Sequence, residues 1–387
     1  MGVTGEMQLE KLNKRDTAMD IIRVVAVFFV VSVHFFLNNE YYTENHNGMN
    51  MYIMCTMRTL FATCIPLFLL LTGYLMCKKT LCKKYYAGIV RILLIYLMSG
   101  IACVIFKRSC LNLDVDFKTA VFELLEFTIA PYAWYIEMYI GLFLIIPFLN
   151  ILYNGITSQK HKKVLLITLF SMTILPTLFN IFSFTTENLW YNPSETDVIT
   201  KILPNWWSML YPIAYYFIGT YIREYGLKTK TPVAVFLLIL ALGGFGAFNF
   251  FRSYNTVFEN GEYISWYGIQ PFVMSVLLFT LLSRIKADRI PIWIRWVLWK
   301  MSDATLGLYL LSYIFDTIAY KRLSEAVPVM PERLKYYFAV VPFVFICSLA
   351  LSLVFNILLK LMGFALEQVK SIFVTLKVDT TQKNAGK

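Results

Sequence analysis

Arg23 and His34 stand with ten residues between them in the apolar stretch Asp20-Ile-Ile-Arg23-Val-Val-Ala-Val-Phe-Phe-Val-Val-Ser-Val-His34. Ionisable groups in so apolar a segment are costly and are kept mostly for function. Read as a helix, eleven steps of ~100° return to about 20° from the starting direction, so both side chains share one face, roughly 16 Å apart. A cation at one end and an imidazole three turns deeper suit a long ligand with an anionic head and a reactive tail. A coenzyme A thioester has that shape. Guanidinium grips phosphate through paired donors. Histidine titrates in the range needed for a base that takes a hydroxyl proton as the oxygen attacks a thioester carbonyl. Two plainer roles compete. Arg23 at a helix end can snorkel to the headgroups, and His34 can be satisfied by a neighbouring carbonyl or hydroxyl.

Other ionisable residues extend this pattern. Asp20, one turn before Arg23, is placed to orient it, and Lys14 and Arg15 widen a basic mouth. Lys78, Lys79, Lys83, Lys84 and Arg91 follow the second apolar segment on the same side. Glu137 falls about one turn into the fourth segment, where an unpartnered carboxylate is strongly disfavoured. It can orient His34 as a carboxylate does in a catalytic triad, bind a sugar hydroxyl, or pair with a cation. His46 and His161 are loop residues. Aromatics including Trp134, Tyr135, Trp206, Trp207, Trp266 and Tyr267 gather at expected outer ends, as membrane-interface belts do. The outer loops 185–204 and 251–266 carry Glu187, Asn188, Asn192, Glu195, Asp197, Asn255, Glu259, Asn260 and Glu262, compatible with glycan binding and with any solvated loop.

The elements that position these groups are legible as membrane helices. The chain is 58% hydrophobic, with a mean hydropathy of +0.61, far above a soluble enzyme. Ten runs of about 20 apolar residues, long enough to cross ~30 Å of hydrocarbon, are expected at roughly 19–38, 58–77, 88–106, 132–152, 164–184, 205–222, 232–250, 267–284, 296–318 and 337–360. With both termini cytoplasmic, 25 of the 35 Lys and Arg fall on inner segments, as the positive-inside rule requires. Basic loops facing anionic lipid explain the net charge of +11 without nucleic acid. The expectation is an all-α polytopic bundle of about ten helices: a cytoplasmic segment 1–18, a membrane domain 19–362, and an amphipathic tail 363–387 with a polar end. The first span reads as uncleaved, because Asp16 and Asp20 sit where a signal peptide has only positive charge. Seven cysteines fit neither a zinc site nor a disulfide framework. There is no Gly-rich phosphate loop, no GxSxG and no metal-spaced histidine cluster.

Arg23-X10-His34, preceded by Asp20, resembles the signature of the membrane acyltransferase-3 family. Further matches follow in order. Pro66-Leu-Phe68…Thr72-Gly73-Tyr74-Leu75 resembles the family's Pro-x-Phe…Ser-Gly-Tyr/Phe-Leu stretch, with Thr72 where Ser is usual. Trp134-Tyr135-Ile136…Pro147 resembles its Trp-Tyr/Phe-Leu…Pro helix. Leu306-Gly-Leu-Tyr309-Leu resembles its late Tyr-x-x-Tyr-Leu helix. The resemblance covers residues 15 to about 360. It implies transfer of an acyl group, usually acetyl, from cytoplasmic acyl-CoA to a hydroxyl of an extracytoplasmic glycan or envelope acceptor, in the cell membrane. His34 is then the general base, and Glu137 is the catalytic partner expected from the residues themselves. Arg23, Asp20, Arg15, Lys84 and Arg91 hold acetyl-CoA, and Trp134, Tyr135 and Tyr309 meet the acceptor. Besides Thr72, the chain departs from the pattern where Gly88 replaces the first Arg of an Arg-x-x-Arg pair, Tyr132 replaces a His, and Ser312 replaces another. Asp303 and Asp316 bracket the late helix. The rival class is a ten-helix transporter or flippase of an envelope precursor, which predicts paired internal repeats; none is found. A second rival is a sensor, or the membrane module of a larger resistance enzyme such as the serine-racemase proteins. The expectation is that no soluble catalytic domain follows the last span, against the fused enzyme.

Overall fold

The computed structural model describes Leu12, residues 15–185, 189–190 and 199–385, with side chains described as far as residue 361. Lys14, Glu187, Asn188, Asn192, Glu195, Asp197, most of the expected segment 1–18 and the side chains of the tail lie outside the described residues.

The described chain is helical throughout, and its only β pairing is an isolated bridge between His46 and Tyr254. The helices are α1 (Thr17–Leu37), α2 (Gly48–Phe61), α3 (Cys64–Met76), α4 (Lys83–Ala87), α5 (Ile89–Cys110), α6 (Phe117–Leu125), α7 (Trp134–Gly155), α8 (Gln159–Thr173), α9 (Pro176–Phe179), α10 (Tyr211–Tyr225), α11 (Thr231–Arg252), α12 (Ile269–Leu282), α13 (Ile292–Ala326) and α14 (Tyr337–Ala385). Helices dominate because a chain in lipid must satisfy its own backbone groups.

Among the described residues, seven helical segments are long and apolar enough to cross a membrane: Thr17–Leu37, Gly48–Met76, Lys83–Cys110, Trp134–Gly155, Thr231–Arg252, Glu262–Leu282 and Met330–Leu361. The other three expected spans coincide with α8, α10 and α13. The first two have 15 residues each. The third carries Asp303, Ser312 and Asp316 within its apolar stretch. The second span begins ten residues earlier than expected and breaks at Ala62-Thr63 between α2 and α3.

The first helix is the centre of the bundle. Asp16 caps it, accepting from the Ala18 N–H at 3.1 Å, and Asp20 in the first turn suits the positive end of the helix dipole. Ile22, Ala26, Val27, Val31, Phe35 and Phe36 are fully buried along it, packed against α2, α3, α12, α13 and α14. Neighbouring helices come close where glycine allows. A Cβ at Gly73 would overlap the Tyr216 carbonyl, and one at Gly219 would overlap the Leu70 carbonyl, so α3 and α10 touch backbone to backbone. Thr220 Oγ1 donates to the Gly73 carbonyl at 3.2 Å across that seam. Small residues serve membrane helices in this way because lipid offers no hydrophobic drive for association.

The loop after α1 is locked. Arg333, 1% exposed, donates to the carbonyls of Val327, Asn39 and Pro328 and to the Glu40 carboxylate at 2.8–3.2 Å. Glu40 itself holds a left-handed backbone at φ 65°. This clamp fixes the end of α1 from which His34 projects.

Candidate active site

His34 and Asp316 meet between α1 and α13. His34 Nδ1 is 2.9 Å from Asp316 Oδ2, and both residues are buried, His34 at 5% and Asp316 at 0% exposure. With Asp316 as the acceptor of this contact, the proton sits on Nδ1 and the lone pair falls on Nε2. Ser312, one turn before Asp316, puts its Oγ 3.3 Å from the same Nδ1 and donates to the Tyr309 carbonyl. Tyr309, Ser312 and Asp316 recur at helical spacing, so one face of α13 serves the imidazole. Tyr132 lies flat on the ring, centroids 3.6 Å apart and planes 22° from parallel. Asn38 ties the two together, donating from Nδ2 to the Tyr132 hydroxyl at 2.9 Å and to the His34 carbonyl at 2.8 Å. A carboxylate on α13 and an aromatic plate from the turn before α7 hold the imidazole from two sides.

Three turns away on α1, Arg23 Nη1 donates to Ser302 Oγ at 2.6 Å and lies 3.7 Å from Asp20. Arg15 grips Asp20 with two bonds of 2.6 and 2.7 Å and reaches Asp303 at 3.0 Å. Asp20 therefore orients both arginines, one of which keeps donors free for an anion. Burial disfavours the Arg15 charge, but the Asp20 and Asp303 carboxylates outweigh it and hold its pKa above the usual value.

A cavity of about 270 Å³ begins at Arg23 and runs beside α1 to Val30, Tyr135, Ile136 and Tyr309, between walls from α3 and α7. Its lining is apolar apart from Arg23, Thr72, Thr305 and the tyrosines. His34 is not in the wall. Tyr309 borders both, its ring 6.5 Å from the imidazole, and its buried hydroxyl has no hydrogen-bond partner.

Several expected site residues are placed differently. Glu137 is exposed in the first turn of α7 and makes no contact with His34; the carboxylate that orients the imidazole is Asp316. The reason is angular: Ile136 and Tyr135 take the inward face of α7, which turns the next residue outward. Lys84 is exposed on the short α4. Arg91 is exposed too and lines a different groove, with Lys300 and Lys360. Neither shares the Arg23 cavity, because α5 presents Ile92, the next residue, to it. Of the aromatic residues, Tyr135 and Tyr309 line the cavity, while Trp134 stacks on Trp266 at 6.1 Å. The signal for Asp316 stood in the sequence: an acid in the same apolar run as Tyr309 and Ser312 needs a partner in the membrane, and His34 needs one as well.

The fold is that of a multi-pass membrane protein, with a buried histidine–carboxylate pair above an arginine-mouthed cavity. The family model for the acyltransferase domain matches residues 16–358, and the chain belongs to that family, acyltransferase 3. It is a membrane acyltransferase, which answers the transporter alternative. Searches of curated proteins and of solved structures return no match.

Proposed function

We propose that the protein is an O-acetyltransferase of the cell membrane that moves an acetyl group from cytoplasmic acetyl-CoA to a hydroxyl of an extracytoplasmic glycan or envelope acceptor. The observation that carries this reading is the 2.9 Å pairing of His34 with Asp316, beside a cavity whose other end is Arg23. The lining fits such a donor. Free guanidinium donors of Arg23, with Arg15 behind, suit a phosphate of the nucleotide. The narrow apolar walls, Leu71 and Leu75 among them, suit the pantetheine arm, and the unpartnered Tyr309 hydroxyl is a donor for the thioester oxygen. The bound thioester supplies the acyl group.

In this reading His34 Nε2 takes the proton of the acceptor hydroxyl as its oxygen bonds to the acyl carbon. The carbon–sulfur bond breaks, and the proton passes from Nε2 to the leaving sulfur. Asp316 keeps Nδ1 protonated and steadies the imidazolium. Tyr132 holds the ring plane. The reading requires a shift of the Tyr309 side chain to join the cavity to His34, in line with catalytic contacts that tighten only in the loaded complex. Mass spectrometry of envelope glycans from cells with and without the gene tests the reading. An acetyl increment that depends on His34 supports it, and identical glycans count against it.

A further inference from the structure

A second groove lies between α5, α13 and α14. It has a volume of about 810 Å³ and shares no lining residue with the cavity at Arg23. Its floor is apolar: Leu94, Val297, Leu349, Leu353 and Ile357. At one end stand three cations, Arg91, Lys300 and Lys360. The Lys300 ammonium rests over Trp296 and Trp299, at 5.4 and 4.9 Å. Asp303 is the acid in the wall, and its carboxylate is committed to Arg15 at 3.0 Å. Among the described residues the lining of the groove is therefore net positive.

The length of the apolar floor is informative. From Leu349 to Lys360 α14 rises ~16 Å, about half of a ~30 Å hydrocarbon core. So the groove spans one leaflet, with its cations where headgroup phosphates lie and its floor where one acyl chain lies. The cations stand at the end of the bundle that carries Arg15, the side that the charge bias assigns to the inner leaflet, whose anionic lipids attract basic pockets between helices. We infer that this groove binds an anionic phospholipid, its phosphate on Arg91, Lys300 and Lys360 and one chain along α14. A soluble phosphate leaves the apolar floor unused, and a zwitterionic lipid carries its own cation against three more.

The inference is independent of acyl transfer and is tested by binding. The full chain, purified in neutral detergent, is titrated with phosphatidylglycerol, with phosphatidylcholine of the same chains, and with glycerol 3-phosphate. Native mass spectrometry and the melting temperature are read together. The expected result is a saturable phosphatidylglycerol adduct that raises the melting temperature, with neither effect from the other two. Lys300→Gln and Lys360→Gln should each weaken it about fivefold, the effect of one basic contact at a lipid surface. Leu353→Trp, which fills the floor and keeps the cations, should remove the adduct, and it decides the matter where the lysine variants do not fold. Equal binding of the two lipids, the same response to glycerol 3-phosphate, or full phosphatidylglycerol binding by Leu353→Trp overturns the inference. Displacement of the lipid by acetyl-CoA also overturns it and assigns the groove to the acyl donor.

Discussion

His34 and Asp316, 282 positions apart in the chain, are joined by a 2.9 Å contact from Nδ1 to Oδ2 in the middle of the helix bundle. The contact makes Asp316 a positioning residue for the proposed base. Asp316→Asn should lower kcat by about 10²–10⁴-fold, with KM for acetyl-CoA little changed, because an amide no longer enforces the Nδ1–H tautomer. His34→Ala should lose as much or more. Glu137→Gln should stay near wild type, because Glu137 is exposed and apart from the pair. Steady-state kinetics of the three variants decides. A Glu137→Gln loss equal to that of Asp316→Asn would return the role to Glu137.

Arg23 faces the cavity mouth with donors to spare. Arg23→Ala should raise KM for acetyl-CoA by about 10–100-fold, the usual worth of a charge-assisted hydrogen bond, and Arg91→Ala should change it far less. Calorimetric titration of CoA gives the same comparison directly. Unchanged affinity in Arg23→Ala would leave the arginine a structural role, holding Ser302 and Asp20 together.

His46 titrates outside the membrane helices. It is fully buried, its Nδ1 bonded to the Glu44 carbonyl and its ring against Tyr41 and Phe258. Burial pushes its pKa down from 6.5 to about 4. The unfolded chain therefore takes up a proton between those values that the folded chain refuses. Stability is present in full above pH 6.5 and is lost as pH falls toward 4, by up to about 3 kcal/mol. His46→Gln, which does not titrate, should show a shallower fall in melting temperature over that window. Parallel curves for the two proteins would refute the assignment.

The seam between α3 and α10 admits no side chain at Gly73. Gly73→Leu should cost at least ~3 kcal/mol, more than a tolerated core overpacking, and should be seen as a lower melting temperature in detergent. A leucine accepted without loss would mean that the two helices are not in backbone contact.

What the sequence made legible was local. Arg23 and His34 betray themselves because each is a costly residue in an apolar run, and their shared face follows from helix geometry alone. Asp316 was visible only as the far bracket of the ninth apolar segment, since Lys321 and Arg322 follow within two turns and make it read as a boundary. A contact across 282 residues leaves no periodic trace. Glu137 looked equally placed for the task because depth in the membrane can be counted, whereas the direction in which α7 turns it cannot. The early start of the second span was hidden by Asn47, just before α2, and by Asn50 and Arg58, polar residues that α2 carries nonetheless, with Arg58 buried against Tyr42 and Phe258.

The separation of the histidine from its carboxylate also sets an order of events in biosynthesis. α1 leaves the ribosome long before α13: at ~5–20 residues per second, roughly 15–60 s pass between them. Throughout that interval the nascent bundle holds an imidazole in the bilayer with no anion beside it, while Asp20 already accompanies Arg23. α13, polar at Ser312 and Asp316, gains in turn from a site prepared to receive it. On the proposed mechanism the protein acquires its chemistry only after α13 has been made.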